Sequence, residues 1–151
     1  MENQMLQVAE IQLTYRPVIR PQDRPKITSA HEAYRLLLES WDSGKIEFIE
    51  QFKLMLLNRN NKVLRIYTVS TGGLAGCMVD MKLVFASALL SCASAIILAH
   101  NHPSGNLKPS EQDLILTRRV REAGKVLEIE VQDHIIVTKD GYYSFADAGH
   151  L

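Results

Sequence analysis

A five-residue apolar run, Ala95-Ile96-Ile97-Leu98-Ala99, ends directly on His100-Asn101-His102-Pro103-Ser104-Gly105. Consecutive apolar residues bounded by turn signals suit a central strand covered on both faces. Such a strand needs helices above and below it, and the flanking sequence supplies them. Ser29 and Glu32 form a capping box, and Ala30, Ala33, Tyr34, Leu37 and Trp41 form one apolar stripe, predicting a helix that Gly44 ends. Met81 to Ala93 is apolar nearly all round, as expected of a helix packed between layers. Asp113 to Ala123 reads as a third helix, stopped at Gly124.

Strands are expected at Glu50 to Leu57 and Val63 to Val69, joined through Asn58-Arg59-Asn60-Asn61 as a hairpin. Further strands are expected at Val126 to Val131, at Ile135 to Val137 and, after the turn-forming Asp140-Gly141, at Tyr142 to Phe145. Helices alternating with strands around an apolar run indicate an α/β (α+β) layered domain. Upstream, Ala9, Ile11, Leu13 and Tyr15 alternate with polar residues as in a half-buried strand. Arg16 to Pro25, with three prolines, reads as an extended connector. Residues 1–27 are therefore read as a strand and connector, and 28–151 as the domain.

With 151 residues the chain is the size of one domain. Lys plus Arg and Asp plus Glu are both 17, so there is no global field to draw the protein onto nucleic acid or an anionic membrane. No apolar run approaches a membrane span, and the N-terminus carries an acidic residue where a signal peptide would be basic. A cytoplasmic protein is expected. Two cysteines, Cys77 and Cys92, are too few for a disulfide framework and too far apart for a CxxC pair. They read as reduced thiols, with Cys92 in the core.

The chemistry concentrates after the central strand. Residues two apart in an extended chain point the same way, and Pro103 biases His102 toward extended geometry. His100 and His102 therefore share a face, where two neutral imidazoles suit a divalent metal such as zinc at about 2.0–2.1 Å. Asp113 falls on the apolar stripe of its helix, and a carboxylate aimed at the core must find a partner. Ser110 and Asp113 also fit a helix cap, a role compatible with ligation because a cap fixes the carboxylate. Three protein ligands leave a fourth position open for water, the arrangement of catalytic zinc. Glu50, in phase with Phe52, Leu54 and Leu56 on the more apolar face of its strand, is the candidate general base and acid. Ser110 is the candidate donor to an oxyanion. Asp133 and His134 could orient a ligand or form a hydrogen-bonded corner.

An upstream Glu, then His-x-His, seven residues, Ser, two residues and Asp is the pattern filled by Glu50, His100, His102, Ser110 and Asp113. It resembles the JAMM (MPN) metalloprotease motif, and HNHPSG with PSEQD, Asp133-His134 and the closing YSFADAG resemble the RadC-like branch of that family. The likeness runs from about Phe48 to Leu151. It implies a curved mixed β-sheet sandwiched by helices, the JAB/MPN and cytidine-deaminase-like architecture. It also implies one zinc per chain on His100, His102 and Asp113, with Glu50 as acid/base and Ser110 at the oxyanion. Lys82 stands where the branch commonly has Arg, and longer members carry an N-terminal helical region that is not seen here.

A zinc hydrolase cleaving a peptide or isopeptide bond is the leading expectation, with a peptide or protein as substrate. The alternatives are a DNA-repair-associated accessory protein, which the zero net charge does not support, and a metal-stabilised interaction module without catalysis. Loops Ser70 to Val79 and Asn106 to Pro109 would set specificity.

Overall fold

In the computed structural model, residues 9, 12, 14–73 and 77–151 are described. Ile11 and Leu13 of the expected first strand lie outside them, and Ala9, Thr14 and Tyr15 carry no regular structure. The first helix, α1 (Ala30–Ser40), begins where the Ser29 hydroxyl accepts the Glu32 amide at 3.2 Å. The Glu32 carboxylate reaches one residue further back than a capping box requires, taking both the amide and the hydroxyl of Thr28 at 2.7 Å. The helix stops at Trp41 rather than Gly44, because Trp41 turns to extended backbone and buries its ring.

Strands β1 (Gln51–Leu57) and β2 (Val63–Thr71) form the expected antiparallel hairpin. Helix α2 (Met81–Leu90) follows, then β3 (Ala95–Asn101), helix α3 (Glu111–Val126), β4 (Glu130–Val137) and β5 (Tyr142–Ser144). The sheet order is β2-β1-β3-β4-β5. Only β3 and β4 are parallel, with α3 as their crossover. The mixed sheet lies between α1 on one face and α2 with α3 on the other. Ala33, Leu37 and Trp41 pack on Met55, Leu57, Ile97 and Ile135. Val84, Phe85, Ala88 and Val120 pack on Phe52, Leu54, Leu56, Ile96 and Leu98. Each fully buried Leu, Ile or Phe contributes about 1.5–3 kcal/mol, and these two clusters hold both helical layers to the sheet.

Several sequence expectations are corrected. All seven residues of β1 are buried, so both of its phases are covered: Phe52, Leu54 and Leu56, in phase with Glu50, pack with α2 and α3, and Met55 and Leu57 pack with α1. Lys53 occupies the opposite phase, yet it too is buried, donating to the Ser40 carbonyl at 2.7 Å with its ammonium 4.5 Å over the Trp41 ring. Helix α2 is covered on one side only: Val84, Phe85 and Ala88 are buried, while Leu83, Leu89 and Leu90 are exposed. Cys92 lies beyond α2 at φ 56° and is exposed, not in the core.

Gly124 does not stop α3 but lies inside it. A Cβ there would sit 2.4 Å from the Ile129 carbonyl oxygen, so glycine is what allows α3 to close onto the start of β4. Val126 is accordingly helical, and the two strand runs expected after it are one strand, β4. Its central polar residues are tolerated because they are bonded. The buried Asp133 carboxylate accepts from the Ser144 hydroxyl at 2.6 Å, the His134 amide at 2.7 Å and the Ala146 amide at 3.0 Å.

Candidate metal centre

The parallel β3–α3–β4 unit brings the carboxyl end of β3 and the amino end of α3 to the same edge of the sheet, where ligand sites of α/β layers form. His102 leaves β3 in a tight turn: the Gly105 amide donates to the His102 carbonyl at 2.9 Å, and Gly105 takes φ 80°, a conformation open to glycine. The turn returns the chain to Ser110, the N-cap of α3. There the Asp113 amide donates to the Ser110 hydroxyl at 3.1 Å, and the Ser110 amide donates to Asp113 Oδ2 at 2.8 Å. This complete capping box fixes the Asp113 side chain and aims it at the two histidines.

His100 Nε2 lies 3.4 Å from Asp113 Oδ1, His102 Nε2 lies 3.5 Å from Asp113 Oδ2, and the two Nε2 atoms are 2.9 Å apart. One ligand atom from each residue lies within 4.8 Å of the others, so the group could hold a metal ion. His100 is buried, and His102 and Asp113 are half-buried. The Nδ1–H of His102 donates to the Asn106 carbonyl at 2.5 Å, which leaves Nε2 as the nitrogen facing the cluster. The donor set, two imidazole nitrogens and one carboxylate, is one that suits a divalent metal ion.

Electrostatics agree with this geometry. Burial opposes ionisation of Asp113, yet the neighbouring His100 and His102 override it and hold the carboxyl well below the usual carboxylate range. The Asp113 hydrogen bond holds the His102 imidazolium above its ordinary value against burial, with help from the Asn106 carbonyl and the charges of Asp113 and Glu50. A proton and a divalent ion are alternatives at the same nitrogen, so metal uptake by this cluster releases protons.

Glu50 is half-buried immediately before β1, close enough for its charge to act on both His102 and the Cys77 thiol. Its carbonyl accepts the Gly72 amide at 2.9 Å. Burial pushes the Cys77 thiol up, and its sulfur lies 3.1 Å from the Ser70 hydroxyl. Ser110 is exposed; its oxygen accepts the Asp113 amide, and its own hydroxyl hydrogen has no acceptor among the described residues.

Two contributors were missed or only half seen in the sequence. Asn101, fully buried between the histidines, accepts the Gln51 amide at 2.7 Å and donates to the Ile46 and Ile49 carbonyls at 2.7 and 2.8 Å. It thereby clamps the segment carrying Glu50. The signal was its phase: period-two alternation turns Asn101 away from the histidines and into the layer covered by α1. His134 is fully buried and bonds His100 Nδ1 at 2.7 Å, while Asp133 makes the hydrogen-bonded corner. Burial first, then the neighbouring His100, push the His134 imidazolium far below its ordinary value.

A family profile described as RadC-like JAB domain matches residues 27–150. A UPF0758 protein of Flavobacterium johnsoniae is 41% identical over 124 residues, 82% of this chain and 53% of the relative. A UPF0758 protein of Porphyromonas gingivalis is 46% identical over 129 residues, covering 85% of this chain and 56% of the relative. UPF0758 protein STH371 of Symbiobacterium thermophilum is 48% identical over 103 residues, 68% of this chain and 44% of the relative. The chain thus spans about half the length of these curated relatives.

Proposed function

The chain belongs to the RadC-like JAB domain family, and from that premise we propose that it is a zinc-dependent hydrolase that cleaves an amide bond, peptide or isopeptide, with water. The observation that carries the reading is the convergence of His100 Nε2, His102 Nε2 and the capped Asp113 carboxylate at the end of β3, and the charge of Glu50, which reaches His102, supports it. A divalent ion held by those three residues supplies Lewis acidity, lowering the pKa of a water and polarising a carbonyl oxygen.

The rest is done by the protein's own groups. Glu50 takes the proton of the attacking water and returns it to the leaving amine, a general base and then a general acid at one carboxylate. Asn101 holds the start of β1, the segment that carries Glu50. The Ser110 hydroxyl, whose oxygen is already committed to the Asp113 amide, has its hydrogen free to donate to the oxyanion that develops on the attacked carbonyl. The same residue therefore caps α3 and faces the reacting carbonyl. Peptide or protein substrates fit this reading, as does specificity set by the Asn106 to Pro109 loop.

The test pairs the zinc-loaded protein with Glu50→Gln on a panel of peptide and isopeptide substrates. The parent is expected to cleave, and the variant to keep its metal while losing turnover by about 10²-fold or more. Equal turnover in the two proteins, or no cleavage by the zinc-loaded parent, would contradict the proposal.

A further inference from the structure

The geometry points to His134 and Thr117 as positioning residues of the metal centre, which lock His100 in the tautomer whose Nε2 lone pair faces His102 and Asp113. The inference rests on the metal-dependent reading above and deepens it. Thr117 Oγ1 lies 2.6 Å from the Asp113 carbonyl oxygen and 2.6 Å from His134 Nδ1. A carbonyl only accepts, so the single hydroxyl hydrogen of Thr117 goes to Asp113. The oxygen must then accept from His134, which places a hydrogen on His134 Nδ1.

The His134 ring is stacked on Phe145 and meets Phe52 edge-on. It has 0% exposure, and its two nitrogens are taken by Thr117 and His100, so no carboxylate bonds it to sustain a charge. In a neutral imidazole that carries its hydrogen on Nδ1, Nε2 is an acceptor. His134 Nε2 therefore accepts from His100 Nδ1 across 2.7 Å, and His100 is left with a bare Nε2. His102 commits its Nδ1–H separately, to the Asn106 carbonyl, and the hydrogen that the 2.9 Å contact between the two Nε2 atoms requires in the metal-free protein sits on His102, donated to the bare Nε2 of His100.

The chain of bonds begins on the main-chain carbonyl of Asp113 and ends on the ring of His100. The first turn of α3, which presents the carboxylate, thus also sets the protonation of the imidazole opposite. Thr117 stands four residues after Asp113, one helical turn on, which is why its hydroxyl reaches that carbonyl. His134 is in register with Leu98 across the parallel β3–β4 pair, two residues before His100. Partners that orient a ligand ring commonly matter 10–100-fold in metal affinity.

The experiment combines long-range proton–nitrogen NMR of the metal-free, ¹⁵N-histidine-labelled full chain with zinc affinities from chelator competition. The parent is expected to show His100 and His134 protonated on Nδ1. His134→Phe should bind zinc about 10–100-fold more weakly, and His134→Gln, whose side-chain oxygen replaces the acceptor, should restore most of that loss. Thr117→Val keeps the volume and removes only the hydroxyl. It should weaken zinc binding and shift His100 toward the Nε2–H form. A parent with His100 protonated on Nε2 while His102 is not would overturn the inference, as would His134→Phe and Thr117→Val variants that bind zinc as tightly as the parent. A parent with the expected tautomers that takes up no zinc would support the hydrogen-bond assignment while overturning the metal-dependent reading.

Discussion

Asn101 offers a quantitative test of how the fold holds the segment that carries Glu50. Asn101→Ala strands the Gln51 amide and the Ile46 and Ile49 carbonyls together. The Gln51 and Ile46 bonds are buried, and the Ile49 bond is partly buried and can be rehydrated. Two buried polar groups left unsatisfied cost about 1–3 kcal/mol each, so the variant should be about 2–6 kcal/mol less stable. At this chain length that is a Tm lower by roughly 5–20 °C. Asn101→Asp is the sharper variant. It keeps the acceptor for Gln51 but turns oxygen toward two carbonyls and buries a charge, so it should be less stable than alanine despite matching the shape. Urea unfolding of the metal-free proteins measures both, and zinc titration of the folded variants should show binding largely retained while turnover falls. An alanine variant within about 1 kcal/mol of the parent, below the range for even one stranded group, or an aspartate variant more stable than alanine, would refute the clamp.

Burial first holds the Lys53 ammonium below its ordinary pKa of 10.5. In the window between the folded value and 10.5 the unfolded chain holds more protons than the native one, so stability rises with pH there. The parent should therefore gain stability relative to Lys53→Met as urea unfolding is repeated from about pH 7 toward about pH 10, and a parent that loses ground would contradict the shift. Gly124→Ala places a Cβ 2.4 Å from the Ile129 carbonyl oxygen, a backbone atom that cannot step aside. A loss of about 1–3 kcal/mol is expected, and an unchanged unfolding midpoint would show that α3 and β4 can separate at no cost.

What could be read from the sequence follows how local each interaction is. The Ser110–Asp113 box spans three residues and announces itself by residue type; the structure forms both of its bonds. The β1–β2 hairpin was visible for the same reason, in two apolar runs flanking an Asn-rich turn where Asn61 takes φ 55°. His134 was legible as half of a polar pair that could orient a ligand or form a corner, but its partner was not, because that is set by the parallel register of β3 and β4, and no turn chemistry encodes that register. Asn101 carried even less signal, since three main-chain groups from residues 46–51 satisfy it and no side-chain pattern marks them. Gly124 and Val126 were misread because glycine usually ends a helix, whereas here the close approach to Ile129 overrides propensity. Trp41 ended α1 before Gly44 because burying the indole outweighed continuing the helix.

The central claim is that His100, His102 and Asp113 form one metal site, and zinc stoichiometry tests it most directly. The protein is loaded with zinc, dialysed and analysed for metal and protein, beside His100→Ala, His102→Ala and Asp113→Ala. The parent should hold about one zinc per chain and each variant almost none. A metal-free parent, or a parent and three variants that all retain equal zinc, would contradict it.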